Sequence, residues 1–291
     1  MSSRTDSNAP TLGVDIGGTK IAARRVHRNA ETSGSTWLPT RAAEGFDVSL
    51  AQVWSAIEQS LTPEVAAIGI CAPGPLNSKT GVILNPPNLP GWRDVPLAQM
   101  AAKRFGVPVT LENDCNAAAL AEARCGAGRG HTIVFYAAIG TGIGSGIVID
   151  GDLYRGAHDA AGEAGHVTVD YRSPVVCTCG APGCIEALAS GAAIESSSSD
   201  PGKHVDELAA WLGSIVSLLD PGIIVLGGGV LEGRAGPDLL SRLRQLMPRR
   251  TINPYASKIP IVEPQLGTLA GVIGAAMIAR SVSDAGDLRE H

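Results

Sequence analysis

The chain has 291 residues and a formal net charge of −5, which argues against the basic surface that nucleic-acid binding requires. No apolar run reaches the roughly 18 residues that cross a bilayer, and the start of the chain lacks the apolar core of a signal peptide. We therefore expect a cytoplasmic protein with no nucleic-acid or membrane partner. At roughly 150 residues per domain the length predicts two lobes, and six cysteines do not suggest a disulfide framework.

The first predicted element is a buried strand that ends at Asp15 and leads through the turn Gly17-Gly18-Thr19 into a second strand from Ile21 (TLGVDIGGTKIAARRV, residues 11–26). Glycines allow backbone N–H groups to approach an anion closely and to form a nest for phosphate. The order Gly-Thr-Lys does not match the Gly-Lys-Ser/Thr ending of a Walker A loop. An ordinary glycine-rich hairpin is the alternative for this stretch.

Apolar spacing next predicts a helix over residues 48–61 and a buried strand over residues 65–71. The following loop, residues 72–92 (APGPLNSKTGVILNPPNLPGW), is dense in proline and glycine. Loops of this length in compact domains are usually functional, although a plain connection is the alternative. Asn88 and Trp92 are the polar and aromatic groups of the loop that we expect to line a ligand pocket.

A helix is predicted near residues 96–105, and residues 109–122 (VTLENDCNAAALAE) predict a short strand and a helix from Asn116. Asn113 and Asp114 lie at this strand-to-helix junction. Open α/β sheets bind ligands at the carboxyl ends of their strands, which makes Asp114 the leading candidate for a catalytic carboxylate. The alternative is that both residues merely cap the helix.

Residues 131–150 (HTIVFYAAIGTGIGSGIVID) repeat the first pattern of strand, glycine-threonine turn and strand. The turn, from Gly140 to Gly146, does not match the G-x-G-x-x-G spacing of dinucleotide-binding loops, because Ile147 occupies the place of the last glycine. Two such turns, one in each lobe, are expected to close on one polyphosphate group from opposite sides.

Three cysteines follow, Cys177, Cys179 and Cys184, separated by one and four residues with glycines that permit a tight knuckle (CTCGAPGC). His166 lies upstream, at what we predict to be the start of a strand. Three thiolates and one imidazole form a closed tetrahedral structural zinc site. The spacing departs from the common C-x₂-C pattern, so unligated thiols are the alternative.

The remainder of the chain alternates helices with strands. The predicted elements are a helix at residues 185–195, a flexible linker at 196–202 (SSSSDPG), helices at 204–220, 237–247 and 268–282, and strands at 222–230 and 259–265. The strand at 222–230 runs into three glycines, for which a nucleoside contact and a structural turn are equal alternatives.

Taken together, these motifs resemble the ROK family (repressor, open reading frame, kinase) of the actin-like sugar kinase superfamily. The matching stretches follow the family's order over nearly the whole chain: VDIGGTK at 14–20, APGP at 72–75, NPPNLPGW at 85–92, LENDCNAAALAE at 111–122, GTGIGSG at 140–146, GEAGH at 162–166, CTCGAPGCIEALASG at 177–191 and IIVLGGGV at 223–230.

The resemblance implies a role for each matched position. Asp114 becomes the general base toward the sugar 6-hydroxyl. The implied sugar-binding residues are Asn88, Asn113, Asp114, Glu163, His166 and Glu186. The implied nucleotide-binding residues are Asp15, Gly17, Gly18, Thr19, Lys20, Gly140, Thr141, Gly142, Gly144, Gly227, Gly228 and Gly229. The implied zinc ligands are His166, Cys177, Cys179 and Cys184.

The resemblance also implies a two-lobed α/β fold, actin-like and related to ribonuclease H, with a ligand cleft between the lobes. Residues 10–114 are expected to form the N-terminal lobe, completed by the C-terminal helix at 268–283, and residues 115–267 the C-terminal lobe with the zinc knuckle. Segment 192–204 is shorter than in typical relatives, which affects the dimer contacts that the family makes through its second lobe.

The implied activity is ATP-dependent phosphorylation of a hexose at the 6-hydroxyl, with Mg²⁺ and a structural Zn²⁺ as metals and a homodimer as the assembly. Glucose is the first choice of substrate because the NPPNLPGW loop looks most like glucokinases, and N-acetylmannosamine and N-acetylglucosamine are the alternatives. A sugar-responsive repressor is less favoured, since only 14 residues precede Asp15 and they show no helix-turn-helix pattern.

Overall fold

The computed structural model describes residues 9–196, 201–232 and 236–287. Within them the strands are β1 (Thr11–Ile16), β2 (Lys20–Val26), β3 (Thr32–Pro39), β4 (Ile68–Ala72), β5 (Leu76–Asn77), β6 (Val82–Ile83), β7 (Val109–Asn113), β8 (Ile133–Ile139), β9 (Ile143–Ile149), β10 (Asp152–Leu153), β11 (Ile223–Gly227) and β12 (Ile261–Val262). The α-helices are α1 (Phe46–Ser60), α2 (Leu97–Phe105), α3 (Asp114–Cys125), α4 (Ile185–Ala189), α5 (Gly191–Ser196), α6 (Pro201–Leu219), α7 (Gly229–Glu232), α8 (Gly236–Leu246) and α9 (Ala270–Asp287). Among the described residues, no helix has both the length and the apolar character that crossing a membrane demands.

Two compact units make up the chain, Met1–Ala121 with Thr268–His291 and Glu122–Gly267. The first unit contains a five-stranded sheet in the order β3-β2-β1-β4-β7, in which β1, β4 and β7 are parallel and β2 and β3 are antiparallel. Strands β1 and β4 are apolar almost throughout because both faces of the sheet are covered. On one face, Leu12 and Val14 share a core with Val53 and Ile57 of α1.

Helix α9 packs on the other face, where glycines allow its backbone to approach the sheet. A Cβ atom at Gly13 would collide with the carbonyl oxygen of Val272, and one at Gly69 would collide with that of Ala275. The approach directs the first turn of α9 to the carboxyl ends of the parallel strands, where an added Cβ atom at Gly271 would lie 2.8 Å from the carboxylate of Asp15. The small residues of this unit therefore place a helix N-terminus at the candidate site.

The second unit has the same strand order, β10-β9-β8-β11-β12, with β8, β11 and β12 parallel. Its core joins the sheet to α6 and α8, and Trp211 packs edge-on against Phe135 with ring centroids 5.8 Å apart. The hairpins β1–β2 and β8–β9 confirm the predicted duplication of strand, turn and strand. One arrangement of strands is thus used twice.

Several local predictions differ from the structure. The strand predicted at 222–230 ends at Gly227 and α7 begins at Gly229, and the helix predicted from Asn116 begins at Asp114. The stretch predicted as one helix at 185–195 is two helices, because Ser190 is extended and its hydroxyl accepts the N–H of Ala193 at 3.2 Å, which caps α5. His166 lies in a 3₁₀ turn, Ala164–His166, and not at the start of a strand. Of the predicted linker at 196–202, residues 197–200 lie outside the described residues, and α6 already begins at Pro201.

Candidate active site and metal cluster

A row of three polar residues crosses the sheet of the first unit near the carboxyl ends of its parallel strands. In the strand register Asp15 pairs with Cys71, and Cys71 pairs with Glu112. Residues in register share a face of the sheet, and this is the face of α9, since a Cβ atom at Gly271 would lie 3.4 Å from the Cys71 sulfur. The positive end of the α9 dipole therefore lies beside the row and favours negative charge there.

Asp15 and Asp114 form an electrostatically coupled pair in this region. The pKa of Asp15 is raised to about 6, first by burial and then by the negative charge of Asp114, against the opposing effects of a hydrogen bond with the Cys71 thiol and of the Lys20 ammonium. Burial likewise raises the pKa of Asp114. Two carboxylates whose charges disfavour each other are an oxygen donor set that suits a hard cation such as Mg²⁺.

At the junction between β7 and α3, one residue caps the helix and the next is the candidate catalytic residue. The side-chain oxygen of Asn113 accepts the backbone N–H groups of Cys115 at 2.9 Å and of Asn116 at 3.1 Å, so Asn113 is the cap. Asp114 is the first helical residue, and its carboxylate accepts the adjacent Cys115 N–H at 2.8 Å. Capping therefore explains Asn113 and leaves Asp114 to be explained by something else.

Glu112 braces the same junction, and the sequence analysis missed it. This carboxylate is only 2% exposed, and it accepts the N–H of Asn113 at 2.9 Å and the side-chain amide of Asn116 at 3.0 Å. The signal was present as the Glu-x-x-x-Asn spacing, which brings a strand-end acid and a first-turn amide together. Glu112 holds in place the backbone that carries Asp114.

The turn between β1 and β2, Gly17–Lys20, is closed by backbone and hydroxyl bonds. Gly17 N–H donates to the carbonyl of Lys20 at 2.8 Å, and the Thr40 hydroxyl donates to the carbonyl of Gly17 at 2.6 Å. The exposed Asn88 lies beside the turn, because an added Cβ atom at Gly18 would approach its carbonyl to 3.0 Å. The structure thus brings the predicted phosphate turn and one predicted sugar residue together within the first unit.

Trp92 does not line a ligand pocket, which corrects the sequence prediction. Its side chain is completely buried, its indole N–H donates to the Ser49 hydroxyl at 2.7 Å, and its ring packs edge-on against Phe46 with centroids 5.3 Å apart. An aromatic residue in a proline-rich loop anchors that loop to the core as readily as it contacts a ligand. Trp92 anchors the loop in which Asn88 lies.

In the second unit, the segment Gly140–Gly144 contains the turn between β8 and β9 and the first two residues of β9, and it is held from several sides. The Gly140 carbonyl accepts the N–H of Gly191 at 2.7 Å, and the N–H of Ile143 donates to the carboxylate of Glu186 at 2.9 Å. Just beyond the turn, the Ser145 hydroxyl donates to the Gly162 carbonyl. Glu186, predicted as a sugar ligand, therefore also contacts the predicted phosphate turn.

The three glycines after β11 differ in their surroundings. Gly228 has φ 96°, and an added Cβ atom would lie 2.5 Å from the carbonyl oxygen of Ile139, so packing alone requires glycine there. At Gly227 a Cβ atom would meet Pro264 at 2.6 Å, whereas at Gly229 it would meet nothing within 4 Å. The structural-turn alternative accounts for Gly227 and Gly228 without a ligand, and Gly229 has open space.

The predicted metal ligands converge in the second unit. One ligand atom from each of four residues lies within 4.8 Å of all the others, namely from His166, Cys177, Cys179 and Cys184. The Cys179 and Cys184 sulfurs are 3.6 Å apart, too far for a disulfide, yet close to the edge of about 3.8 Å that a tetrahedron with Zn–S bonds of about 2.3 Å requires. The knuckle is closed by backbone bonds between Cys177 and Gly180 at 2.8 Å and between Cys177 and Ala181 at 2.9 Å.

His166 presents its two ring nitrogens to different neighbours. Its Nδ1 lies 3.5 Å from the Cys177 sulfur, and its Nε2 lies 4.0 Å from the carboxylate of Glu163, whose side chain is 64% exposed. The resemblance assigned His166 both to the metal and to the sugar. These assignments are compatible because each uses a different nitrogen.

The fold and these sites define a class of protein: two sheets of the same strand order, each opening with a hairpin that carries a glycine-threonine turn, form the two-lobed actin-like fold of sugar kinases. The sequence model of the ROK family matches residues 11–207 and 203–282. The chain belongs to the ROK family.

Similar proteins have defined activities. A glucokinase from Streptomyces coelicolor is 33% identical over 314 residues, covering 93% of this chain and 97% of the relative. The crystal structure of a ROK hexokinase from Thermus thermophilus is 34% identical with a TM-score of 0.82 and covers 94% of this chain and 99% of its own. A ROK family glucokinase from Streptomyces griseus, solved in complex with glucose and AMPPNP, is 34% identical with a TM-score of 0.74 over the same shares.

Proposed function

We propose that this protein transfers the terminal phosphoryl group of ATP to the 6-hydroxyl of a hexose, with glucose as the preferred acceptor. The observation that carries the proposal is the pair of buried carboxylates Asp15 and Asp114 in the first unit, together with the capping of α3 by Asn113, which assigns the cap to a residue other than Asp114. The similarity to glucokinases over nearly the whole chain supports glucose among the hexoses.

In this proposal Asp114 accepts the proton of the 6-hydroxyl as the oxygen attacks the phosphorus. Phosphoryl transfer depends mainly on position and on neutralisation of charge, so the protein needs few covalently reactive groups. A positioned base of this kind typically contributes ~10²–10⁴ in rate. The raised pKa of Asp114 makes its carboxylate a stronger base than an exposed one, and the braced β7–α3 junction fixes its position.

Asp15 would hold Mg²⁺, which would neutralise phosphate charge when bound. The fit is supported by the raised pKa of Asp15, since a buried carboxylate beside a second negative charge gains from a cation. The proposed phosphate contacts are Gly17, Gly18, Thr19, Lys20, Gly140, Thr141, Gly142 and Gly144, and the proposed nucleoside contacts are Gly227, Gly228 and Gly229. Of the last three, Gly229 has the space for such a contact.

The proposed sugar ligands offer both donors and acceptors, which sugar hydroxyls need. They are Asn88, Asn113, Glu163, His166 and Glu186. We also propose that His166 Nδ1 and the sulfurs of Cys177, Cys179 and Cys184 hold a structural Zn²⁺, because their mutual distances suit a tetrahedral ion. Four protein ligands leave no open position, so the metal would act on structure and not on the reacting oxygen.

An ATP-dependent coupled assay over a panel of glucose, mannose, N-acetylmannosamine and N-acetylglucosamine tests this proposal. We expect ADP release that depends on sugar and on Mg²⁺, with the highest kcat/KM for glucose. A preference for an N-acetylhexosamine would overturn the choice of glucose but would be consistent with the proposed kinase activity. Two negative results on folded protein would together overturn the kinase itself: no sugar-dependent release of ADP from ATP, and no phosphorylated sugar when inorganic polyphosphate is the donor.

A further inference from the structure

The turn Gly140–Gly144 is held by the same segments that carry the metal cluster. Ala164 N–H donates to the Ser145 hydroxyl at 3.2 Å, and an added Cβ atom at Gly165 would collide with the carbonyl oxygen of Ile143. Both contacts come from the residues directly before His166. The segment after Cys184 holds the turn from another side, through Glu186 and Gly191.

The Glu186 side chain contacts both the turn Gly140–Gly144 and the cysteine cluster. One carboxylate oxygen accepts the Ile143 N–H at 2.9 Å, and the other lies 4.0 Å from the Cys177 sulfur. An added Cβ atom at Gly142 would lie 2.5 Å from the first oxygen, so this glycine leaves the space that Glu186 occupies. A bond from a backbone N–H to a carboxylate is among the stronger hydrogen bonds, and this one fixes the end of the turn, where β9 begins.

The position of Glu186 in turn depends on the knuckle. Glu186 lies in the first turn of α4, two residues after Cys184, whose sulfur belongs to the cluster. An ion bound by Cys177 and Cys184 would fix the start of α4 and the direction of the Glu186 side chain. A loosened cluster would free the start of α4, and the Ile143 N–H would then lose its acceptor.

We propose that Glu186 is a positioning residue that links the cysteine cluster to the phosphate turn, so that the state of the cluster sets the affinity for the nucleotide. The proposal rests on the proposed function in one respect, namely that Gly140–Gly144 binds phosphate. It gives Glu186 a role additional to sugar binding. A residue that only binds sugar would leave the turn and the nucleotide unaffected when it is replaced.

The first test is residue-resolved amide hydrogen exchange on the full chain, which does not require activity. In Glu186→Ala the Ile143 amide should exchange about tenfold faster, because its acceptor is gone. In Glu186→Gln it should stay near the parent rate, since the Gln side-chain oxygen can accept the same N–H. Glu195→Ala, at an exposed glutamate of α5, is the matched control and should leave Ile143 unchanged. Unchanged exchange in folded Glu186→Ala would overturn the link to the turn.

The link between Glu186 and the cysteine cluster is tested on the parent protein. This test can therefore be carried out even if Glu186→Ala fails to fold. Removing the metal with a chelator should accelerate exchange at Ile143 far more than at Val148, which pairs with Val134 in the middle of the hairpin. Equal acceleration at both amides, or none, would overturn the coupling.

The consequence for the nucleotide is measured by calorimetric titration with AMPPNP. Glu186→Ala and the chelated parent should both bind AMPPNP about tenfold more weakly, and Glu186→Gln should restore binding toward the parent value. If Glu186→Ala weakens glucose binding and leaves AMPPNP binding and Ile143 exchange unchanged, Glu186 is a sugar ligand only and this inference fails, while the proposed kinase stands. If the parent transfers no phosphate, the exchange experiments still decide the link between cluster and turn.

Discussion

The two glycine-threonine turns occupy equivalent places in two sheets of the same strand order, yet their surroundings differ. The first follows Asp15 at the end of β1, whereas the corresponding position before the second turn, at the end of β8, is Ala138. The first turn is closed by its own backbone and by Thr40. The second depends on Glu186 and on segments that carry the cluster of His166 and three cysteines.

This difference indicates that the two units have different roles. The first unit has the coupled carboxylates and the braced junction that present Asp114. The second has no acid at the equivalent strand end among its described residues, and its polar groups hold a turn and form the proposed metal site. We therefore propose that the same topology supplies acid–base chemistry in one unit and binding geometry in the other. Four substitutions test this contrast.

The largest effect is expected at Asp114. Asn keeps the shape of the side chain and can still accept the Cys115 N–H, so Asp114→Asn should not lower the melting temperature. Loss of a charge that burial disfavours should instead raise the melting temperature at neutral pH. Asn cannot take the proton of the 6-hydroxyl, and kcat should fall by ~10²–10⁴ while sugar binding changes far less. Steady-state kinetics beside calorimetric glucose binding make the measurement. If Asp114→Asn turned over near the parent rate, the first unit would have no acid–base role to distinguish it from the second.

Asp15→Asn should lower the activity of the protein and raise its stability. The folded-state pKa of about 6 lies above the ordinary 3.8, so the ionised side chain opposes folding above about pH 6 and this cost vanishes below about pH 4. At neutral pH the free energy of unfolding of the variant should exceed that of the parent by up to ~3 kcal/mol. This difference should close as the pH falls toward ~4. Its kcat should fall because the proposed Mg²⁺ ligand is lost.

Urea titrations between about pH 4 and about pH 8, without added magnesium, measure the stability gap. The matched control is Asp47→Asn, at an exposed aspartate in the first turn of α1. Loss of its favourable interaction with the helix dipole should destabilise the protein slightly at neutral pH, which is the opposite sign. A neutral-pH loss of stability in Asp15→Asn would contradict the electrostatic account of this site.

In the second unit, Cys179→Ala should remove the metal. We expect the parent to carry about one zinc per chain, and the variant to lose it together with on the order of 2 kcal/mol of stability, far less than the roughly 10–16 kcal/mol of isolated zinc-finger peptides, because this unit has its own apolar core. Elemental analysis and thermal unfolding are the measurements. Cys125→Ala, outside the cluster, should keep the zinc. An active parent preparation without zinc would end this interpretation.

The smallest effect is expected at the helix cap. Asn113→Ala removes the acceptor of two backbone N–H groups and should cost about 1 kcal/mol of unfolding free energy. Comparison with Asp114→Asn then places capping and catalysis on adjacent residues. Equal unfolding free energies for Asn113→Ala and the parent would show that Asn113 is not the cap.

Local patterns in the sequence predicted most of the secondary structure and the convergence of the four metal ligands. Both hairpins, the strand before Asn113 and the long helices follow from apolar spacing and strong turn residues. The same patterns assigned Trp92 to a ligand and His166 to a strand, and the structure contradicts both. Local signals fail there because burial in a core and ligand binding use the same residue types.

The contacts made across the fold could not be predicted from local pattern. The pairing of Asp15 with Cys71 depends on the register of strands more than 50 positions apart in the chain, and the approach of α9 depends on glycines in two strands. The bond from Ile143 to Glu186 spans 43 positions. Such contacts are set by tertiary packing, which a single sequence does not display.

The central claim, transfer of phosphate from ATP to the 6-hydroxyl of glucose, is tested most directly by identifying the product. Glucose labelled with ¹³C at carbon 6 is incubated with ATP, Mg²⁺ and the purified protein, and the labelled carbon is followed by NMR. The account predicts that the carbon-6 signal acquires a coupling to phosphorus with the parent protein, at a rate at least about 10² higher than with Asp114→Asn. A phosphorylated sugar whose carbon-6 signal shows no coupling to phosphorus, or release of ADP with no phosphorylated sugar, would contradict it.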